Sequence, residues 1–256
     1  MLAAVTITRL EKAASDNGFD LWFSPDGNWL NFGSTQTSLQ IWLTSLGEAS
    51  FLVALSRANV LDALAALGLP CTGQLPKGAV GARTVGEIQA LHRLLRRAFQ
   101  LARTLPDELL HIFERETAHL PRSTEAERLA VQRVGQDIFR RGLLEYWDGR
   151  CAITGLPLPE LLRASHIKPW ADCETDAERL DVFNGFLLAP HLDVLLDSGF
   201  ISVAPDGVVL LSHALPADAR VILGLELPLR VRGLHQSHEH YLQWHRTRVF
   251  RNASTP

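Results

Sequence analysis

Five side chains between positions 166 and 197 are of types that move protons or hold cations: His166, Asn184, His191, Asp193 and Asp197. An imidazole, with an ordinary pKa of about 6.5, can take a proton from water near neutral pH. His166 sits in a strand-like run that ends at Pro169. Asn184 precedes Gly185, and an amide side chain both donates and accepts, so it can fix a histidine's orientation or tie a loop to a strand. The same dipeptide is also a common turn former. Asp193 and Asp197 are four residues apart, one helical turn, so both carboxylates face the same way and together can grip one divalent cation. The chemistry such a set can perform is metal-assisted hydrolysis, with the histidine as base and the carboxylates as ligands.

Positioning these groups requires a strand for His166, a loop for Asn184 and a helix for the carboxylates. Pro190 suits the first turn of a helix, so His191 onward is expected to be helical. Leu192, Leu195 and Leu196 would then face the core and leave Asp193 and Asp197 toward the strand pair carrying His166. Upstream, Thr124 with Glu127 has the form of a capping box. It opens a helix whose apolar positions run from Leu129 to Trp147 and which stops at Gly149.

The run Ala164-Ser165-His166-Ile167-Lys168-Pro169-Trp170, followed by Asn184-Gly185 and Asp193 to Gly199, resembles the HNH endonuclease family of ββα-metal nucleases. The lead-in Arg133-Val134-Gly135-Gln136 with Phe139-Arg140, the turn Cys151 to Gly155, and the closing Tyr241 to Arg246 are similar to the same bacterial group. The resemblance implies that His166 is the general base, that Asn184 is its positioning partner, and that Asp193 and Asp197 are metal ligands. It also implies DNA as partner and phosphodiester hydrolysis as reaction. Many relatives carry Asp or His before the base histidine, where this chain has Ser165, and His191 is the nearest candidate to compensate. Oxygen ligands favour Mg²⁺ or Mn²⁺ over Zn²⁺. Lys168, Arg163, Arg140 and Arg150 are near enough in sequence to hold a phosphate backbone.

The expected fold class is α+β. Residues 1–70 form a small antiparallel-sheet domain between helices, residues 71–122 a linker and connecting helices, and residues 123–256 the nuclease domain. The linker expectation rests on Pro70, Gly73, Pro76, Gly78 and Gly81, which interrupt regular structure. Aromatic residues Trp22, Phe23, Trp29, Phe32 and Trp42 are expected mostly in the core, with some available for a base-stacking or modified-base pocket.

The composition is 46% hydrophobic and 21% charged with a net charge of -3, so contact with phosphates must come from a local basic surface. Three widely spaced cysteines suit a reducing cytoplasm better than a disulfide framework. No run approaches the roughly 20 apolar residues needed to span a bilayer. A reader domain joined to a nuclease suits restriction or defence, and cutting both strands with one site per subunit suits a homodimer. The alternative from another class is a DNA-binding or regulatory module that has lost catalysis, for which Ser165 and the acidic net charge speak.

Overall fold

The computed structural model describes residues 2–47, 49–225 and 228–251. The chain divides between Leu105 and Pro106 into two compact units. A helix ending at Thr104 is followed by Leu105 in an extended conformation, as expected of a residue whose successor is proline.

The first unit is an antiparallel sheet with helices. Helix α1 (Ala4–Asp16) leads into β1 (Leu21–Asp26), β2 (Trp29–Gly33), β3 (Ile41–Ser45) and β4 (Phe51–Leu55). After α2 (Ala58–Ala63) come β5 (Leu69–Cys71), β6 (Gly81–Val85) and α3 (Ile88–Thr104). The strand order is β1-β2-β3-β4-β6-β5, and all five residues of β4 are buried, as befits a central strand. The apolar stripe of α3, Leu91, Leu94, Leu95, Ala98 and Leu101, is fully buried in this unit.

The expected linker is therefore corrected. Leu69–Cys71 and Gly81–Val85 pair with each other, and β6 pairs with β4, so the sheet extends to residue 85 and the unit to residue 105. Pro70 is compatible with β5 because that strand is at the sheet edge, where a missing N–H costs no ladder bond. Gly81 marks a close approach: a Cβ there would lie 2.3 Å from Leu61 Cδ2. Residues 72–80 supply Leu75 and Ala79 to a small apolar cluster around Trp42, Ala54 and Ala82. Phe32 and Trp42 are core residues and Trp29 is partly buried against that cluster, whereas Trp22 and Phe23 are exposed on β1.

The second unit begins with α4 (Pro106–Thr117) and α5 (Glu125–Tyr146). The capping box is present: Thr124 accepts from the Glu127 amide while the Glu127 carboxylate accepts from the Thr124 amide. Then follow β7 (Arg163–His166), α6 (Asp176–Leu180), β8 (Gly185–Leu188), α7 (Pro190–Asp197), β9 (Ile201–Val203), β10 (Val209–Leu211), α8 (Ala217–Ile222) and α9 (His238–Arg248). Strands β7 and β8 form an antiparallel pair in which His166 stands opposite Gly185. Helix α7 buries Leu192, Leu195 and Leu196 and packs against β7, which gives the two-strand, one-helix arrangement anticipated from the sequence. It ends in a Gly199 with φ of 70°, whose missing Cβ leaves room for the Val249 carbonyl after α9.

Candidate active site

His166 ends β7, and three neighbours fix its ring. Phe139 of α5 stacks on it with centroids 3.8 Å apart and planes 16° from parallel, and Trp170 meets it edge-on at 5.7 Å. The third neighbour is polar: Nε2 is 2.9 Å from the Arg179 carbonyl oxygen. A carbonyl can only accept, so Nε2 carries the hydrogen and the lone pair of the neutral ring is on Nδ1. The Arg179 side chain ties this residue to the preceding loop. The guanidinium donates to the carbonyls of Trp170 at 3.3 Å and Cys173 at 2.5 Å, and to Asp176 at 2.9 Å.

Gly185 makes the stack with Phe139 possible. A Cβ at this position would lie 2.5 Å from Phe139 Cζ. Its backbone is extended, with φ of -159°, so Asn184-Gly185 is not the turn dipeptide it resembles. Asn184 is instead completely buried. Its Oδ1 accepts from the Lys168 amide at 2.8 Å, and its Nδ2 donates to the Lys168 carbonyl at 3.1 Å and the Glu178 carbonyl at 3.1 Å, with Cys173 Sγ at 3.3 Å. Of the two roles open to this asparagine, tying loop to strand is the one these bonds perform. It joins the chain after β7 to the chain before β8, and so holds the segment whose residue 179 carbonyl meets the histidine.

Asp193 and Asp197 of α7 line the same cleft as His166, a space of about 740 Å³ that also includes Gln136, Asp137, Arg140, Arg163 and Ser165. Burial, and then the charge of Asp193, push the Asp197 carboxyl up to about 6. Two like charges one turn apart in a partly desolvated cleft are a place that a cation would relieve. Ser165 has a buried hydroxyl with no hydrogen-bond partner among the described residues, a further oxygen suited to such a cation. No group of three His, Cys, Asp or Glu that could hold a metal is gathered among the described residues. Two carboxylates and a hydroxyl are oxygen donors, the kind a hard divalent cation takes alongside water molecules.

His191 is corrected: it is exposed on the first turn of α7 and does not line the cleft. At 100° per residue it points about 200° away from Asp193, onto the solvent side. Lys168 is also removed from the expected phosphate contacts, because its buried ammonium is 2.9 Å from Glu178. Arg140 donates to the Leu162 and Pro159 carbonyls at 2.7 and 3.0 Å, bracing the entry to β7. Arg150 is exposed outside the cleft, which leaves Arg163, exposed at the cleft rim, as the member of that group placed to meet a phosphate.

Residues 151–204 match the model of the HNH endonuclease family. The matched HNH segment contains β7, β8, α7 and β9, with His166, Asn184, Asp193 and Asp197. Phe139, which completes the histidine's surroundings, comes from α5, outside that span. None of the curated proteins compared matches the chain. Phe139 enters the sequence reading only as part of the lead-in similar to the family, with no stacking role visible, and neither Arg179 nor Asp137 stands out there; a stacking partner 27 positions away and a backbone acceptor leave no local pattern.

Burial lowers His166 to about 4, with the Arg179 carbonyl opposing the shift. The unfolded chain, titrating near 6.5, then binds the proton more readily than the folded one. Stability from this group is complete above about pH 6.5 and is lost as pH falls through about 4. Imidazole NMR signals of His166 are expected to show a ring still neutral at pH 5.5. A midpoint at or above 6.5 would show that the enclosure by Phe139 and Trp170 does not exclude solvent as described.

Proposed function

We propose that the chain is a divalent-metal-dependent DNA endonuclease that hydrolyses phosphodiester bonds, with His166 as general base. The observation that carries this reading is the sharing of one cleft by the oriented His166 ring and the Asp193 and Asp197 carboxylates, inside a segment that matches the HNH endonucleases.

Nδ1 of His166 is the nitrogen left to accept a proton from the attacking water, since Nε2–H is committed to the Arg179 carbonyl. Neutrality maintained by burial keeps that lone pair available through the physiological range. An anionic phosphate entering the cleft favours the protonated ring and raises its basicity toward what proton transfer requires. Asp193 and Asp197 would hold Mg²⁺ or Mn²⁺, with Ser165 contributing an oxygen. Such a cation supplies polarisation of the phosphoryl oxygen and neutralisation of the leaving oxygen. Asn184 keeps the 168–179 segment in register, and Arg163 at the rim meets the flanking phosphate.

The N-terminal unit, with Trp22 and Phe23 exposed on β1, is proposed to select the DNA, in restriction or defence against foreign or modified DNA. A homodimer would bring two such sites to the two strands of one duplex. No helix of the described residues is long and apolar enough to cross a membrane, in keeping with the proposed cytoplasmic location.

The metal part of the proposal is tested by Mn²⁺ binding, followed by electron paramagnetic resonance of the ion itself. The protein is expected to bind Mn²⁺ at pH 7.5 and to lose at least about tenfold in affinity in Asp193→Asn/Asp197→Asn, in line with the loss of both charged ligands. Supercoiled plasmid, modified and unmodified, should be nicked in Mg²⁺ by the parent chain and not by this variant. Full nicking in EDTA would contradict the cation's role.

A further inference from the structure

Beside the His166 cleft lies a second pocket of about 350 Å³, lined by Arg122, Arg128, Gln132, Trp170 and Arg179 among others. Its floor is shared with the catalytic cleft, because Trp170 lines both. Trp170 is seated there by Gly135 of α5, where a Cβ would come within 2.5 Å of the indole.

The two spaces are also joined along α5. Arg128, Gln132 and Gln136 follow one another at four-residue intervals, a single face of the helix; the first two line the second pocket and the third lines the cleft. Each interval advances about 6 Å, and Arg128 lies about 16 Å along the axis from Phe139, which stacks on His166. That length is enough to span a few successive phosphates of one strand. The single acid in the pocket lining, Asp176, is engaged by Arg179 at 2.9 Å, and Arg122 donates to Thr117 while remaining exposed. The overall charge of -3 therefore conceals a local basic groove ending at the proposed catalytic base.

We propose that this pocket and the α5 face form a track for the sugar-phosphate backbone of the substrate strand, with Arg122 and Arg128 contacting phosphates several nucleotides from the one cleaved at His166. The inference rests on the nuclease reading of the cleft. The track neutralises backbone charge and positions the strand; glutamines at the middle of the face offer neutral donors to phosphate oxygens, which carry no sequence information.

The test uses the full chain with His166→Ala, so that DNA is bound without being cut, and a fluorescent 30-base-pair duplex followed by anisotropy across a KCl series. Adding Arg122→Ala/Arg128→Ala is expected to weaken binding and to flatten the slope of log affinity against log salt by about 1.8, or about 0.9 for each phosphate no longer neutralised. Arg128→Lys in place of Arg128→Ala keeps the charge and should return the slope halfway or more, a rescue that damage to the fold would not allow. Unchanged slope and affinity in the double alanine variant, with the parent binding normally, would overturn the track while leaving the nuclease reading standing. Failure of the parent to bind any duplex, although folded, would sink both.

Discussion

Single-turnover cleavage of duplex DNA is expected to slow by about 10²–10⁴-fold when His166 is replaced by alanine, the range associated with a positioned general base. The effect should fall on the chemical step, because His166 adds no charge that would hold the DNA: its ring is neutral, with burial lowering it to about 4. Duplex affinity is thus expected to stay within about twofold, a margin of roughly 0.4 kcal/mol. His166→Gln separates the roles further. Its amide can still donate to the Arg179 carbonyl but cannot accept a proton as imidazole does, so it should be as slow as alanine while preserving the fold. A rate within about threefold of the parent in either variant would mean that another group takes the proton.

The second large effect is on stability. Asn184→Ala removes an amide that satisfies the Lys168 N–H and two carbonyls in a completely buried position. Each buried group left without a partner costs about 1–3 kcal/mol, so a loss of roughly 3 kcal/mol or more is expected. Asn184→Asp should be no better, although it is nearly identical in shape. Its Oδ1 can still accept from the Lys168 amide, but the other oxygen would face the Lys168 and Glu178 carbonyls, which are acceptors too. Thermal unfolding of the unit after residue 105, with hydrogen exchange at the Lys168 amide as a local probe, checks both variants. An aspartate variant that melts with the parent would show that these carbonyls do not depend on the amide.

The residues proposed to carry the chemistry can be picked out in the sequence because each has a local signature. His166 ends a strand-like run, Pro190 starts a helix, and Asp193 and Asp197 are one turn apart. Phe139, Arg179 and the acceptors around Asn184 are brought to the site by the pairing of β7 with β8 and by the packing of α5, α6 and the loop between them. Those contacts are tertiary and have no periodicity to read. His191 was overestimated for the opposite reason: proximity in sequence to two ligands says nothing of direction, and helical rotation turns it outward.

The fold shows the same division. The antiparallel meander over residues 21–55 and the capped helix from Thr124 follow from turn and cap residues. The extension of the sheet to β5 and β6 does not, because Pro70 and Gly81 are breakers in isolation and become acceptable only at an edge and beneath Leu61. Placing the boundary at residue 70 detached α3 from the sheet that buries its apolar stripe.

The most direct measurement of the central claim is the conversion of supercoiled plasmid by the purified chain in Mg²⁺ or Mn²⁺, run beside an EDTA-treated sample and His166→Ala. Nicked or linear DNA is expected from the parent alone, with both controls leaving the plasmid supercoiled. A folded, metal-loaded parent that cuts no DNA, modified or unmodified, would contradict the claim and leave an HNH fold that binds without catalysis; so would cleavage that persists undiminished in His166→Ala.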